Sequence, residues 1–76
     1  MDYSIYIGFA NGSNHHTQNS ASAAWVIYTP TGQVLSSGGM CLHLYLNNVA
    51  EYSVVIELFR DAISHGVLSL EVHLDS

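Results

Sequence analysis

The sequence predicts an α/β domain: a three-stranded antiparallel meander, one crossover helix, and a fourth strand parallel to the first. Three observations predict it. Apolar side chains recur with period two in the first and last strand-like runs, and the period switches to 3.6 after Asn47-Asn48. Thr29-Pro30-Thr31-Gly32 joins two strand-like runs tightly enough for a hairpin. A single helix before the last strand then has to act as a crossover, which makes that strand parallel to its neighbour.

Residues 3–10 form the first strand, with Ile5, Ile7 and Phe9 on one face. Residues 11–20, NGSNHHTQNS, are polar and read as a loop. Residues 21–28, ASAAWVIY, carry the aromatic and β-branched side chains of a second strand. Pro30 suits the second position of the turn that follows. The third strand spans 33–44, with a bulge expected at Gly38-Gly39. The helix starts at Asn48 and buries Val55, Leu58, Phe59 and Ala62, while Arg60 and Asp61 fall off that stripe. Gly66 after His65 is a left-handed cap. In the last strand, 67–75, Leu68, Leu70, Val72 and Leu74 alternate with Ser69, Glu71, His73 and Asp75.

With 76 residues the chain is one domain, 1–76, with no linker and no internal repeat. It is 49% hydrophobic, so some apolar surface stays exposed or meets a partner. Arg60 is the sole Lys or Arg against six Asp and Glu, for a net charge of −5. Phosphate binding through basic side chains is therefore closed to this chain alone, and nucleic-acid contact needs bound metal, missing basic segments or a partner. No apolar run approaches the roughly 20 residues of a membrane span. The acidic start without an apolar signal segment points to an intracellular, cytoplasmic or nuclear, location. Without a secretory signal, the sequon Asn11-Gly12-Ser13 is not read as a glycan acceptor.

Three short segments carry chemistry. Phe9-Ala10-Asn11-Gly12-Ser13 closes the first strand, Asn47-Asn48-Val49-Ala50-Glu51 opens the helix, and Asp75-Ser76 follows the last strand. In this order they resemble the ribonuclease H family as found in plant retroelement polyproteins, which carries Asp-Gly-Ser, Asn-Asn-x-x-Glu and Asp-Ser. The resemblance covers the whole chain but only about the first half of the family domain, so 1–76 is expected to be a truncated ribonuclease H-like domain. It implies metal-dependent endonucleolytic cleavage of RNA in RNA–DNA hybrids, with Mg²⁺ as cofactor. It also implies that Asn11, Glu51 and Asp75 occupy catalytic metal-ligand positions and that Asn47, Asn48 and Ser13 occupy substrate-binding ones. Amides suit that last role because they can both donate to and accept from a 2′-hydroxyl.

The departures matter as much as the match. Two-metal hydrolysis needs carboxylates converging on two ions about 3.5–4 Å apart. Asn11 stands where the family has its first Asp, and the family's fourth acid has no counterpart here. An amide is neutral and offers one oxygen where a carboxylate offers charge and two. The expectation is an inactive chain that binds one cation weakly at best. The alternative reading is a non-catalytic module or retroelement relic that self-associates through an uncovered sheet edge or apolar face.

Plainer roles compete for several residues. Asn48-x-x-Glu51 also fits a helix capping box. Asn11-Gly12 is also a turn pair, and one prone to deamidation. The five histidines lack metal-site spacing and read as solvated or locally bonded. Cys41 reads as a buried small hydrophobe. Trp25, sharing a face with Ile27, reads as core rather than as a base-stacking platform.

Overall fold

The computed structural model describes residues 4–15, 20–43 and 47–75, and at residues 13–15, 20–21, 42–43, 47–51 and 75 it describes the backbone alone. Four strands and one helix follow in the order expected: β1 (Tyr6–His15), β2 (Ser20–Tyr28), β3 (Val34–His43), α1 (Asn47–Ser64) and β4 (Leu70–Asp75). They form one sheet of order β3-β2-β1-β4, with β1–β2 and β2–β3 antiparallel and β1–β4 parallel. No described helix is long and apolar enough to cross a membrane.

The first correction concerns residues 11–15. They read as loop because they are polar, yet they extend β1. Each of them pairs across to β2, from Asn11 with Ala24 to His15 with Ser20. Ladder hydrogen bonds are made by the backbone and are indifferent to side-chain polarity, so a long partner strand carries polar residues into the sheet. The remainder of the expected loop, 16–19, lies outside the described residues.

β2 and β3 meet at the Thr29–Gly32 turn. Gly32 N–H donates to Thr29 O at 2.9 Å, and Gly32 has φ +88°. The expected bulge exists but sits elsewhere. The register shifts between Ile27 and Tyr28, whose partners are Ser36 and Val34, so Leu35 is the extra residue. Gly38 and Gly39 stay in register, and Gly38 serves another purpose. A Cβ there would lie 2.2 Å from the Trp25 ring. The glycine is the floor on which the indole rests.

The helix packs on one face of the sheet. Its buried stripe is Val54, Leu58 and Ala62, joined by Ala10, Ala23 and Ile27 from the strands. Phe59, expected inside, is exposed, and Val54 takes its place while Val55 flanks the core. The stripe is rotated because α1 lies close over Gly8. The Leu58 methyls come within 3.1 Å of where a Gly8 Cβ would be, which fixes Leu58 as the central knob. Asp61, expected off the stripe, is half-buried against the sheet. Trp25 Nε1–H donates to its Oδ2 at 2.9 Å and Ser36 Oγ–H to the same oxygen at 2.6 Å. These two hydrogen bonds, Ser36 first, hold the Asp61 carboxyl below the usual range.

α1 ends as expected. Gly66, at φ +76°, donates to Ile63 O at 3.0 Å, and Val67 N–H donates to Ala62 O at 3.1 Å, a Schellman closure. That closure uses up Val67, so β4 starts at Leu70 rather than at residue 67 and Leu68 is left exposed. Cys41 is also exposed rather than buried. It pairs with Ser22, on the sheet face that α1 does not cover.

Candidate active site

The site begins with strand alternation. In β1, Gly8 and Ala10 face the helix, so Ile7, Phe9 and Asn11 belong to the opposite, open face. In β4 the register places Glu71 beside Ile7, His73 beside Phe9 and Asp75 beside Asn11. Two sequence-predicted positions distant in the chain, Asn11 and Asp75, are thus neighbours on adjacent parallel strands.

Glu51 arrives by a different route. A short link, residues 65–69, ties the end of α1 to the start of β4, so α1 runs back antiparallel to β4. Its first turns, which contain Asn47, Asn48 and Glu51, therefore lie toward the end of the sheet where Asn11 and Asp75 pair. The side chains of Glu51, Asp75, Asn47, Asn48 and Ser13 fall outside the described residues, as does any capping contact between Asn48 and Glu51. Asn11 is described and exposed.

Asn11 lines an open cavity of about 520 Å³ together with Phe9, Ala24, Val26 and His73. A smaller hollow of about 150 Å³ adjoins it, shared by Asn11, Ser22 and Ala24. The cavity wall is aromatic. Phe9 stacks on His73 with ring centres 5.0 Å apart and planes at 22°, and meets Tyr28 edge-on at 5.9 Å. His73 Nε2 lies 3.1 Å from Glu71 Oε2. Sequence reasoning assigned His73 no site role, although the alternation of β4 already put it on the face of Asp75.

The donor set suits a hard cation in part. Of the sequence-predicted donors, Glu51 and Asp75 would offer carboxylates and Asn11 a neutral oxygen. Among the described residues no group of three or more His, Cys, Asp or Glu could hold a metal ion. His65 and His73 are locally bonded, His65 Nδ1 lying 2.9 Å from Asp61 O. Trp25 spends its indole N–H on Asp61 and packs against the core, as its pattern predicted.

Comparison with known proteins agrees with this geometry. A family profile described as reverse transcriptase-like matches residues 9–76. Among solved structures, the chain is similar to ribonuclease H1 from the halophilic archaeon Halobacterium salinarum, with TM-score 0.84, 25% identity, and coverage of 95% of this chain and 55% of that one. It is similar to the N-terminal ribonuclease H domain of a Mycobacterium tuberculosis protein fused to maltose-binding protein, with TM-score 0.86, 27% identity, and coverage of 95% and 52%. It is also similar to LC11-RNase H1, solved in complex with an RNA/DNA hybrid, with TM-score 0.82, 25% identity, and coverage of 93% and 54%. The chain thus spans about half the length of the solved structures it matches. No curated protein matches the sequence. By sequence match and by fold alike, the chain belongs to the reverse transcriptase-like family and has the ribonuclease H-like architecture.

Proposed function

We propose that this chain is a ribonuclease H-like nucleic-acid-binding domain of plant retroelement type, descended from a Mg²⁺-dependent endonuclease acting on RNA in RNA–DNA hybrids, and that it does not itself cleave. The observation that supports this most directly is the rung Asn11–Asp75 on adjacent parallel strands. It is the site where two carboxylates would have to stand together, and one of them is an amide.

Glu51 and Asp75 would hold a single Mg²⁺, with the Asn11 amide oxygen as a weaker third donor. A bound Mg²⁺ would neutralise a phosphate and polarise its phosphorus–oxygen bond. The residues of the chain orient the substrate: Asn47 and Asn48 at the start of α1 address 2′-hydroxyls, and Ser13 beyond Asn11 addresses the backbone. With a net charge of −5, substrate approach depends on that cation or on a basic partner. The expected location is intracellular, cytoplasmic or nuclear.

The test is a pair of assays on freshly prepared protein. We expect no cleavage of an RNA–DNA hybrid in Mg²⁺, and tighter Mg²⁺ binding by Asn11→Asp than by the parent chain. Robust Mg²⁺-dependent cleavage by the parent chain would overturn the reading of Asn11.

A second reading has its own observation. Tyr52, Ile56, Phe59 and Ile63 are all exposed along α1 at spacings of four, three and four residues. That is the spacing of a helix-pairing seam. It supports self-association as a homo-oligomer, through this stripe or through β4, an edge strand among the described residues. A monomeric mass by light scattering at high protein concentration would count against it.

A further inference from the structure

We infer that the open face of the sheet carries a binding site for an unpaired nucleobase, adenine by preference, received by the Phe9–His73 stack and the Asn11 amide. This site shares only Asn11 with the candidate cation site and needs no metal. Four observations carry it. The first is space. Ala24 and Val26 put short side chains on β2 beside Asn11 and Phe9, and a cavity of about 520 Å³ opens over them. Pockets that hold small ligands span about 300–1,000 Å³.

The second is a preformed aromatic wall. Phe9 and His73 share a rung of β1 and β4, with ring centres 5.0 Å apart. Glu71 Oε2 lies 3.1 Å from His73 Nε2. A carboxylate only accepts, so His73 Nε2–H donates to it and the imidazole plane is fixed. Tyr28 meets Phe9 edge-on from β2. Phe9 still keeps 45% exposure, so ring surface remains for a further aromatic plane.

The third is a polar group at the end of that wall. Asn11 stands two residues along β1 from Phe9, on the same face. Its side chain is exposed, and no described residue hydrogen-bonds its amide. The amide presents N–H and C=O side by side, which matches the N7 acceptor and N6 amino donor of adenine. The fourth is charge. Among the described residues that line the cavity there is no Lys, Arg, Asp or Glu. An uncharged planar ring suits it, and a phosphate does not in a chain of net charge −5. The base must be unpaired, because neighbours in a duplex cover both of its faces. A free nucleoside and an unpaired base of a single strand present the same ring and the same edge, and the experiment separates them.

The experiment titrates the full chain in the absence of divalent cations and follows the Phe9 and His73 ring protons by NMR. The probes are adenosine, cytidine, a short single-stranded oligoadenylate and a fully paired RNA–DNA hybrid. We expect saturable upfield movement of both rings' resonances with adenosine and with oligoadenylate, tighter binding of adenosine than of cytidine, and no movement with the hybrid. Saturation by oligoadenylate without adenosine supports the site as a strand-binding one. Phe9→Leu keeps an apolar side chain in β1 and removes the aromatic face, so binding should weaken by about five-fold to a hundred-fold. Circular dichroism first establishes that the variant is folded. Silence of both resonances toward adenosine and oligoadenylate overturns the inference, as does movement with the hybrid alone or unchanged affinity in folded Phe9→Leu. Equal affinity for adenosine and cytidine overturns the role of Asn11. With no Mg²⁺ present, each of these outcomes leaves the proposed function to its own Mg²⁺-binding and cleavage assays.

Discussion

The two faces of α1 carry nearly equal hydrophobicity and have opposite fates. On the inner face Leu58 is 0% exposed and seals the core with Val54 and Ala62. On the outer face Ile63 is 73% exposed, in line with Tyr52, Ile56 and Phe59. Side-chain type does not separate these stripes. What separates them is the sheet: Gly8 lets Leu58 approach, and Asp61 clamps the helix in rotation by accepting from Trp25 and Ser36. The lesson is that a small number of backbone and polar contacts select the buried face when apolar residues are available all round.

The sharpest way to break this comparison is at its centre. Leu58→Ala should cost about 2–5 kcal/mol, because the rigid strands beneath cannot collapse into the space. In a domain this small that removes most of the stability, and denaturant unfolding will show it as a large drop in midpoint. Ile63→Ala on the outer face should change monomer stability by less than about 0.5 kcal/mol.

The next test addresses the clamp. Asp61→Asn keeps the shape and loses charge-assisted hydrogen bonding, at a cost of about 1–3 kcal/mol. The pH dependence follows from the sign of the Asp61 shift. Its folded pKa is depressed, so its contribution is fully present above the unfolded value of 3.8 and is lost as pH falls through the folded value. Thermal melts of the parent chain should weaken on acidification below that range, and those of Asp61→Asn should weaken less. Gly38→Ala tests the seat of the indole. Its Cβ would overlap the Trp25 ring, so Trp25 must move and its bond to Asp61 lengthen. About 1–3 kcal/mol is expected, with a shift in Trp25 fluorescence.

The smallest effect sharpens the outer stripe. Ile56→Ser together with Ile63→Ser should leave the melting temperature of dilute protein nearly unchanged. The same pair should reduce any association seen by light scattering at high concentration.

The element order, the parallel β4 and the Gly66 cap were legible in the sequence, because period, turn chemistry and crossover geometry are local or topological rules. The buried helix face was not. Val55, Leu58, Phe59 and Ala62 and the actual Val54, Leu58 and Ala62 are both valid stripes, and only the contact with Gly8 and the Asp61 bonds choose between them. Residues 11–15 misled for a related reason, since polar side chains say nothing about a backbone that β2 will pair. Of the candidate site, the meeting of Asn11 with Asp75 was legible through the resemblance and the crossover. The Phe9–His73 stack was missed, because partner strands come into register only in three dimensions.

The parallel pairing of β1 with β4 also has a kinetic consequence. Tyr6 pairs with Leu70, nearly opposite ends of the sequence, whereas β1–β2 and β2–β3 close over short connections. Loop-closure entropy makes the antiparallel pairs the early contacts and the β4 pairing the late one. The Asn11–Asp75 rung is therefore among the last features to form during folding. Time-resolved hydrogen exchange at β4 would report the assembly of the candidate site directly, with no need for substrate or metal.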